Sequence, residues 1–246
     1  MKFRTWMGAL VVGVLAIGSV ALPAQAAETS ARTYTSETEL TDEEINQARE
    51  HMVSWYLDRG VAEETATKLA DAFLRGEVPD SSKADAVPIS EETHRDGNWV
   101  VTVRTFADGS ISESRLEQPD FSTDSGYSTR SVGSCEGTSS GTGWYSYSNC
   151  RVEEETSWVA LSFRADYTRS GGLGAISAVR QPYQWAALGT ATTPVLSITR
   201  SMQNTSGPAT AQGQSSFTKP GGGGSSTLYV YLYVNGQGAT SGKFGF

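Results

Sequence analysis

The sequence predicts an α+β chain, with a small module of two helices and a β-hairpin followed by an all-β antiparallel sandwich. Three observations carry this reading. Helical periodicity is confined to residues 41–76, apolar and polar residues alternate through most of the chain after Trp99, and the alternating runs are broken by segments rich in Gly, Ser, Thr and Pro. An open barrel is the alternative arrangement of the same strands. No internal repeat is visible.

The chain opens with MKFRTWMGALVVGVLAIGSVALPAQA, in which Lys2 and Arg4 precede an apolar run that closes on Ala24-Gln25-Ala26. This pattern reads as a secretory signal over residues 1–26 with a small-residue cleavage site. Gly13, Gly18, Ser19 and Pro23 make the run a poor membrane span, which needs about 20 apolar residues. Nothing later in the sequence is apolar for long enough to span, so a secreted, extracellular protein with no membrane span after cleavage is expected.

Residues 27–117 form the predicted acidic module. Between Glu28 and Gln118 there are 20 Asp and Glu against 9 Lys and Arg, whereas Pro119 to Phe246 has 7 against 8. Thr41-Asp42-Glu43-Glu44 has the form of a capping box, with Thr41 at the N-cap and Glu44 reaching back. Ile45, Ala48, Met52, Trp55 and Tyr56 follow at helical spacing, and Gly60 offers a left-handed stop. Ala66, Leu69, Ala70, Phe73 and Leu74 define a second amphipathic stretch ending at Gly76. Helices this short need a third surface. WVVTVRTFADGSISESRLE supplies one, because Asp108-Gly109 between two alternating runs predicts a hairpin with a two-residue turn. In that register Arg104 faces Glu113 and Val101 faces Leu116, so that Val101, Val103 and Leu116 share the apolar face and Arg104 pairs with Glu113 on the wet one.

The helix pair followed by DSSKADAVPISEETHRDGNWVVTVRTFADGSISESRLEQP resembles an N-terminal segment that recurs in secreted actinobacterial proteins of unknown activity. Asp80-Ser81, Val87-Pro88-Ile89-Ser90, Asp96-Gly97 and the Phe106-to-Ser110 turn carry the resemblance, which covers about a third of the chain. It implies secretion and an attachable module, and it brings no catalytic residues. The β domain resembles no family.

Residues 118–134 are polar and read as a linker, and residues 135–246 as the β-sandwich domain. Cys135 and Cys150 are the only cysteines. In a secreted chain they predict one disulfide, closing a Gly- and Ser-rich hairpin. Strands are expected in SWVALSFRADY, GAISAVR, PVLSITR, QSSFTK, TLYVYLYV and GKFGF, with Val159, Leu161, Phe163, Ala165 and Tyr167 on one face of the first.

The chemistry available is sparse. His51 and His94 are the only histidines and both precede the β domain. No Gly-x-Ser-x-Gly elbow, zinc-ligand spacing, phosphate loop or clustered basic stretch occurs, so no catalytic residue, metal, cofactor or nucleic-acid partner is assigned. Glu153-Glu154-Glu155 reads as a solvated turn or strand edge rather than a carboxylate pair. There remains STLYVYLYVNG, where Leu228, Val230, Leu232 and Val234 alternate with Tyr229, Tyr231 and Tyr233. The tyrosine row, joined by Trp144, Trp158 or Trp185 from other strands, is the candidate platform for a carbohydrate or cell-envelope polymer. Non-enzymatic extracellular binding is therefore the leading function. The alternatives are a toxin-like or inhibitory protein whose acidic half is a removable pro-region, with cleavage near Arg130, and a hydrolase with carboxylates outside known motifs.

Overall fold

A computed structural model describes residues 40–119, 135–139, 142–219 and 224–246, all within one compact unit spanning Glu37–Phe246. The expected signal segment, residues 120–134 of the expected linker and part of the GGGGSS run lie outside the described residues.

Two helices begin the described chain, α1 (Asp42–Asp58) and α2 (Glu63–Leu74). The capping box at Thr41 is formed in both directions: the Glu44 amide donates to Thr41 Oγ1 at 3.2 Å and the Thr41 amide to Glu44 Oε2 at 2.9 Å. Gly60, at φ +78°, ends α1 in the left-handed region. No helix among the described residues is long and apolar enough to cross a membrane.

Among the described residues after α2, the regular elements are antiparallel strands apart from a 3-10 turn at Asp80–Ser82. One sheet contains β1 (Ser90–Asp96), β2 (Trp99–Thr105), β3 (Ile111–Glu117), β4 (Glu136–Ser139), β5 (Trp144–Glu155), β6 (Val159–Ser170) and β7 (Leu173–Ala186). Its order is β1-β2-β3-β5-β6-β7, with β4 also paired to β5. The other contains β8 (Thr190–Ala191), β9 (Val195–Arg200), β10 (Ala209–Thr218), β11 (Ser225–Val234) and β12 (Ala239–Phe244). Here β12, β11 and β10 follow one another, and both β8 and β9 pair with β10.

The two sheets share one core. Val152, Val159, Leu161, Phe163, Ala165 and Tyr167 of the larger sheet are fully buried, as are Leu228, Val230, Leu232 and Val234 of the smaller. Gly213 of β10 leaves room for its neighbours in the core, since a Cβ there would lie 3.1 Å from Val230 Cγ1 and 3.2 Å from Leu196 Cδ2. The opposite face of the larger sheet is covered by the helices, with Trp55, Tyr56 and Leu69 packed on Ile111 and Val103. Cys135 and Cys150 are joined, with Cα atoms 4.2 Å apart, and tie β4 to the strand it pairs with.

The acidic segment is built into the same sheet as the strands beyond the expected linker, because β3 pairs with β5 from Glu113↔Glu155 to Leu116↔Val152. The hairpin that delivers β3 departs from its predicted register by one residue. Thr105 pairs with Ile111, Arg104 with Ser112 and Val100 with Leu116. The turn is the three-residue form, closed by the Phe106 amide on the Ser110 carbonyl at 2.9 Å, with Gly109 in the left-handed conformation at φ +84°. Asp108 stabilises it by accepting from the Ser110 amide at 2.9 Å and the Asp80 amide at 2.8 Å. A slip of one residue exchanges the faces of a whole strand. Leu116 therefore enters the core between the sheets, Glu113 turns to the helix side, and Arg104 points into the inter-sheet space.

Candidate functional site

The strict alternation of β11 places its aliphatic residues inward and Tyr229, Tyr231 and Tyr233, each partly exposed, on the outer face of the smaller sheet. Their cross-strand neighbours are set by the register. Tyr229 lies between Gln214 and Phe244, Tyr231 between Gln212 and Gly242, and Tyr233 between Thr210 and Thr240. On β9, Ser197 and Val195 continue the rows of Gln212 and Gln214. The result is an open face of phenols, amides and hydroxyls with no acidic residue in these rows.

The rings do not lie flat. Same-face residues of a strand are about 6.6 Å apart, yet the centroids of Tyr229 and Tyr231 approach to 5.7 Å and those of Tyr231 and Tyr233 to 5.6 Å, with planes within 10° and 17° of parallel. Gly242 allows this lean: a Cβ there would sit 3.1 Å from Tyr233 Cε2. The rings stack on one another in an offset manner, so the row offers ring edges and phenol groups instead of three open ring faces. None of the three phenols hydrogen-bonds to another described residue. Burial, reinforced by the neighbouring phenol, raises the pKa of Tyr231 and of Tyr233, so both stay protonated as donors at neutral pH.

The tryptophans expected to join the row stand elsewhere. Trp158 is buried in the connection between β5 and β6, its ring centroid 5.3 Å from Phe73 and 4.8 Å from Phe217. Trp185, on β7, packs against His51 of α1 at 4.3 Å. Trp144 is half-buried at the start of β5, in the other sheet. The tyrosines are the part of the candidate platform that the fold brings together.

A second polar region has no signature in the sequence. Glu153, Glu154 and Glu155 are not a solvated turn: they lie inside β5, flanked by β3 and β6, where both ladders restrict water. Glu155 and Glu113 share Arg59, at 3.0 and 2.9 Å, and Glu153 pairs with Arg151. Glu154 points the opposite way, into the inter-sheet space, and is completely buried. Ser114 donates to its Oε2 at 2.7 Å, and Arg104 Nη1 donates to Ser114 Oγ at 2.7 Å. Lys243 of β12 approaches from the facing sheet and donates to the Ser81 carbonyl oxygen. Burial pushes the Glu154 carboxyl up to about 7, against the pull of Ser114, Lys243 and Arg104. Burial likewise pushes the Lys243 ammonium down to about 8, against the attraction of Glu154. Glu154 was legible as a carboxylate but not as a buried one. Lys243 was legible only as an ordinary residue of a terminal strand.

No protein-family model, no characterised protein and no solved structure matches the chain. Its function has to be read from the chemistry of the site.

Proposed function

We propose that the chain is a secreted β-sandwich protein that binds a neutral, polyhydroxylated polymer such as a cell-envelope or extracellular polysaccharide on the outer face of its five-stranded sheet. The observation that carries this reading is the ordered row Tyr229, Tyr231 and Tyr233 flanked in register by Gln212, Gln214, Thr210 and Thr240. Phenols, primary amides and hydroxyls are donors and acceptors at once, which suits sugar hydroxyls, and the aromatic edges add apolar contact without adding charge. The open, extended face suits a chain of many units more than a small molecule, which is usually held in a concave pocket. Binding, not catalysis, is the proposed role, because no carboxylate stands in the tyrosine, glutamine and threonine rows of this face. The test is retention of the mature protein on insoluble polysaccharides and purified cell-wall fractions, with Tyr231→Ala as the comparison. Retention that survives this substitution in a folded protein removes the proposal.

A further inference from the structure

The space between the sheets is apolar along most of its length, but at the β2, β3 and β12 side it is lined by Arg104, Ser112, Ser114, Glu154, Ser241 and Lys243. Filling a core with ions is costly unless every group is paired, and apolar residues of similar volume generally serve stability as well or better. Here the pairing is incomplete. Ser112 Oγ and Ser81 Oγ are buried without a hydrogen-bond partner among the described residues. Lys243 Nζ has one hydrogen bond among the described residues, to Ser81. Arg104 uses Nε on Glu91 at 2.7 Å and Nη1 on Ser114, leaving Nη2 without a partner among the described residues.

Beside these groups lies a cavity of about 630 Å³, large enough for a monosaccharide-sized ligand. Ser81, Lys243 and Arg104 line it, and Ser81, only 3 % exposed, carries a hydroxyl with no partner among the described residues. The remaining wall includes the buried Phe106 and Phe246, and at its outer rim Phe244, Tyr233 and Thr240. The Asp80–Ser82 turn, whose Ser81 and Ser82 line the cavity, is held from both sides. The Ser81 amide donates to Ser110 Oγ at 2.9 Å, and the Ser81 carbonyl receives Lys243.

We infer that this inter-sheet cleft is a binding site for a ring-bearing carboxylic acid, with Lys243, Arg104 and the Ser81 hydroxyl receiving the carboxylate and the phenylalanine wall receiving the ring. An ammonium and a guanidinium have only donors to offer, and a carboxylate has only acceptors. Glu91 on the rim and Glu154 behind the wall offset part of the cationic charge, so a monoanion matches the cleft better than a phosphate dianion. The ring can come from a uronic acid or from an aromatic acid, and the same chemistry serves both. The cleft adjoins one end of the tyrosine face, because Tyr233, Thr240 and Phe244 line it too, whereas Tyr229 and Tyr231 do not.

The experiment is a chemical-shift titration of the mature protein with glucuronate, phenylacetate and glucose. Saturable binding of glucuronate or phenylacetate, with glucose inert at equal concentration, is expected, and whichever acid binds names the source of the ring. Lys243→Met and Arg104→Gln should each weaken that binding at least about tenfold, whereas Arg75→Met, at an exposed position outside the cleft, should leave it unchanged. Near-UV circular dichroism establishes that each variant is folded, and if Lys243→Met is not, Arg104→Gln decides. The inference is overturned if neither acid binds, if glucose binds equally well, or if the folded variants bind as the parent does.

Discussion

Trp158 donates its indole N–H to the Ser82 hydroxyl at 3.0 Å, joining residues 76 positions apart in sequence. The same indole packs between Phe73 of the helical segment and Phe217 of β10. The acidic segment is thus part of the core of the β domain, in addition to contributing β3 beside β5. A protease cut at Arg130 should leave two pieces that co-elute in size exclusion under native conditions and separate only in denaturant. The disulfide would not hold them, because both cysteines lie after the cut. Spontaneous dissociation into a folded C-terminal fragment would instead support the pro-region reading.

Arg59 is the centre of the charged layer under α1. It contacts Glu113 and Glu155, and its guanidinium carbon lies 3.9 Å from the Trp55 ring centroid. Removing a partner from a buried ion pair strands the other charge at a cost of about 3 kcal/mol. Arg59→Met, which keeps much of the stem packing, should therefore lower unfolding stability by about that amount in urea titration. Arg75→Met, which breaks an exposed pair with Glu77, should change it by less than about 0.5 kcal/mol. Equal effects from the two substitutions would contradict the assignment of Arg59.

Much of this architecture is legible in the chain itself, and where it is not the reason is physical. Periodicity and capping identify α1 and α2, because Thr41, Glu44 and Gly60 act locally. Alternation identifies β6 and β11, because each has one face in the core. The Asp108-Gly109 turn is a different matter. The dipeptide fits both a two-residue and a three-residue hairpin, and the choice rests on long-range partners such as the Asp80 amide on Asp108. That one-residue difference decides whether Arg104 meets Glu113 or enters the cleft. The surroundings of Glu153, Glu154 and Glu155 are likewise set by strands distant in sequence, which no local pattern encodes. For the tyrosines, the face they occupy is fixed by alternation, but their mutual stacking depends on the absent side chain at Gly242.

The buried carboxyl of Glu154 gives stability a pH dependence of definite sign. Its folded value, about 7, lies above its ordinary value of 4.5, so between those limits the folded state holds the more protons and stability falls as pH rises. Lys243, lowered from 10.5 to about 8, acts in the other direction: stability recovers as pH rises between those values. The groups facing Glu154 are Ser114, Arg104, Ser241 and Lys243. Glu154→Gln should abolish the lower window. Its midpoint relative to the parent should therefore rise as pH is taken from about 5 to about 7.5 in thermal unfolding. A difference that stays constant with pH would mean that Glu154 is ionised throughout.

The measurement that bears most directly on the binding role is retention of Tyr231→Ala on an insoluble polysaccharide or cell-wall fraction, read beside its thermal midpoint. Tyr231 is the central ring of the row and is partly exposed, so its loss should sharply reduce retention while shifting stability far less than Leu232→Ala, which opens a cavity at a fully buried position and should cost about 2–5 kcal/mol. Reduced retention with a near-parental midpoint is the predicted result. Undiminished retention by a folded Tyr231→Ala protein, or no retention by the parent, would contradict the claim that this face is what the protein binds with.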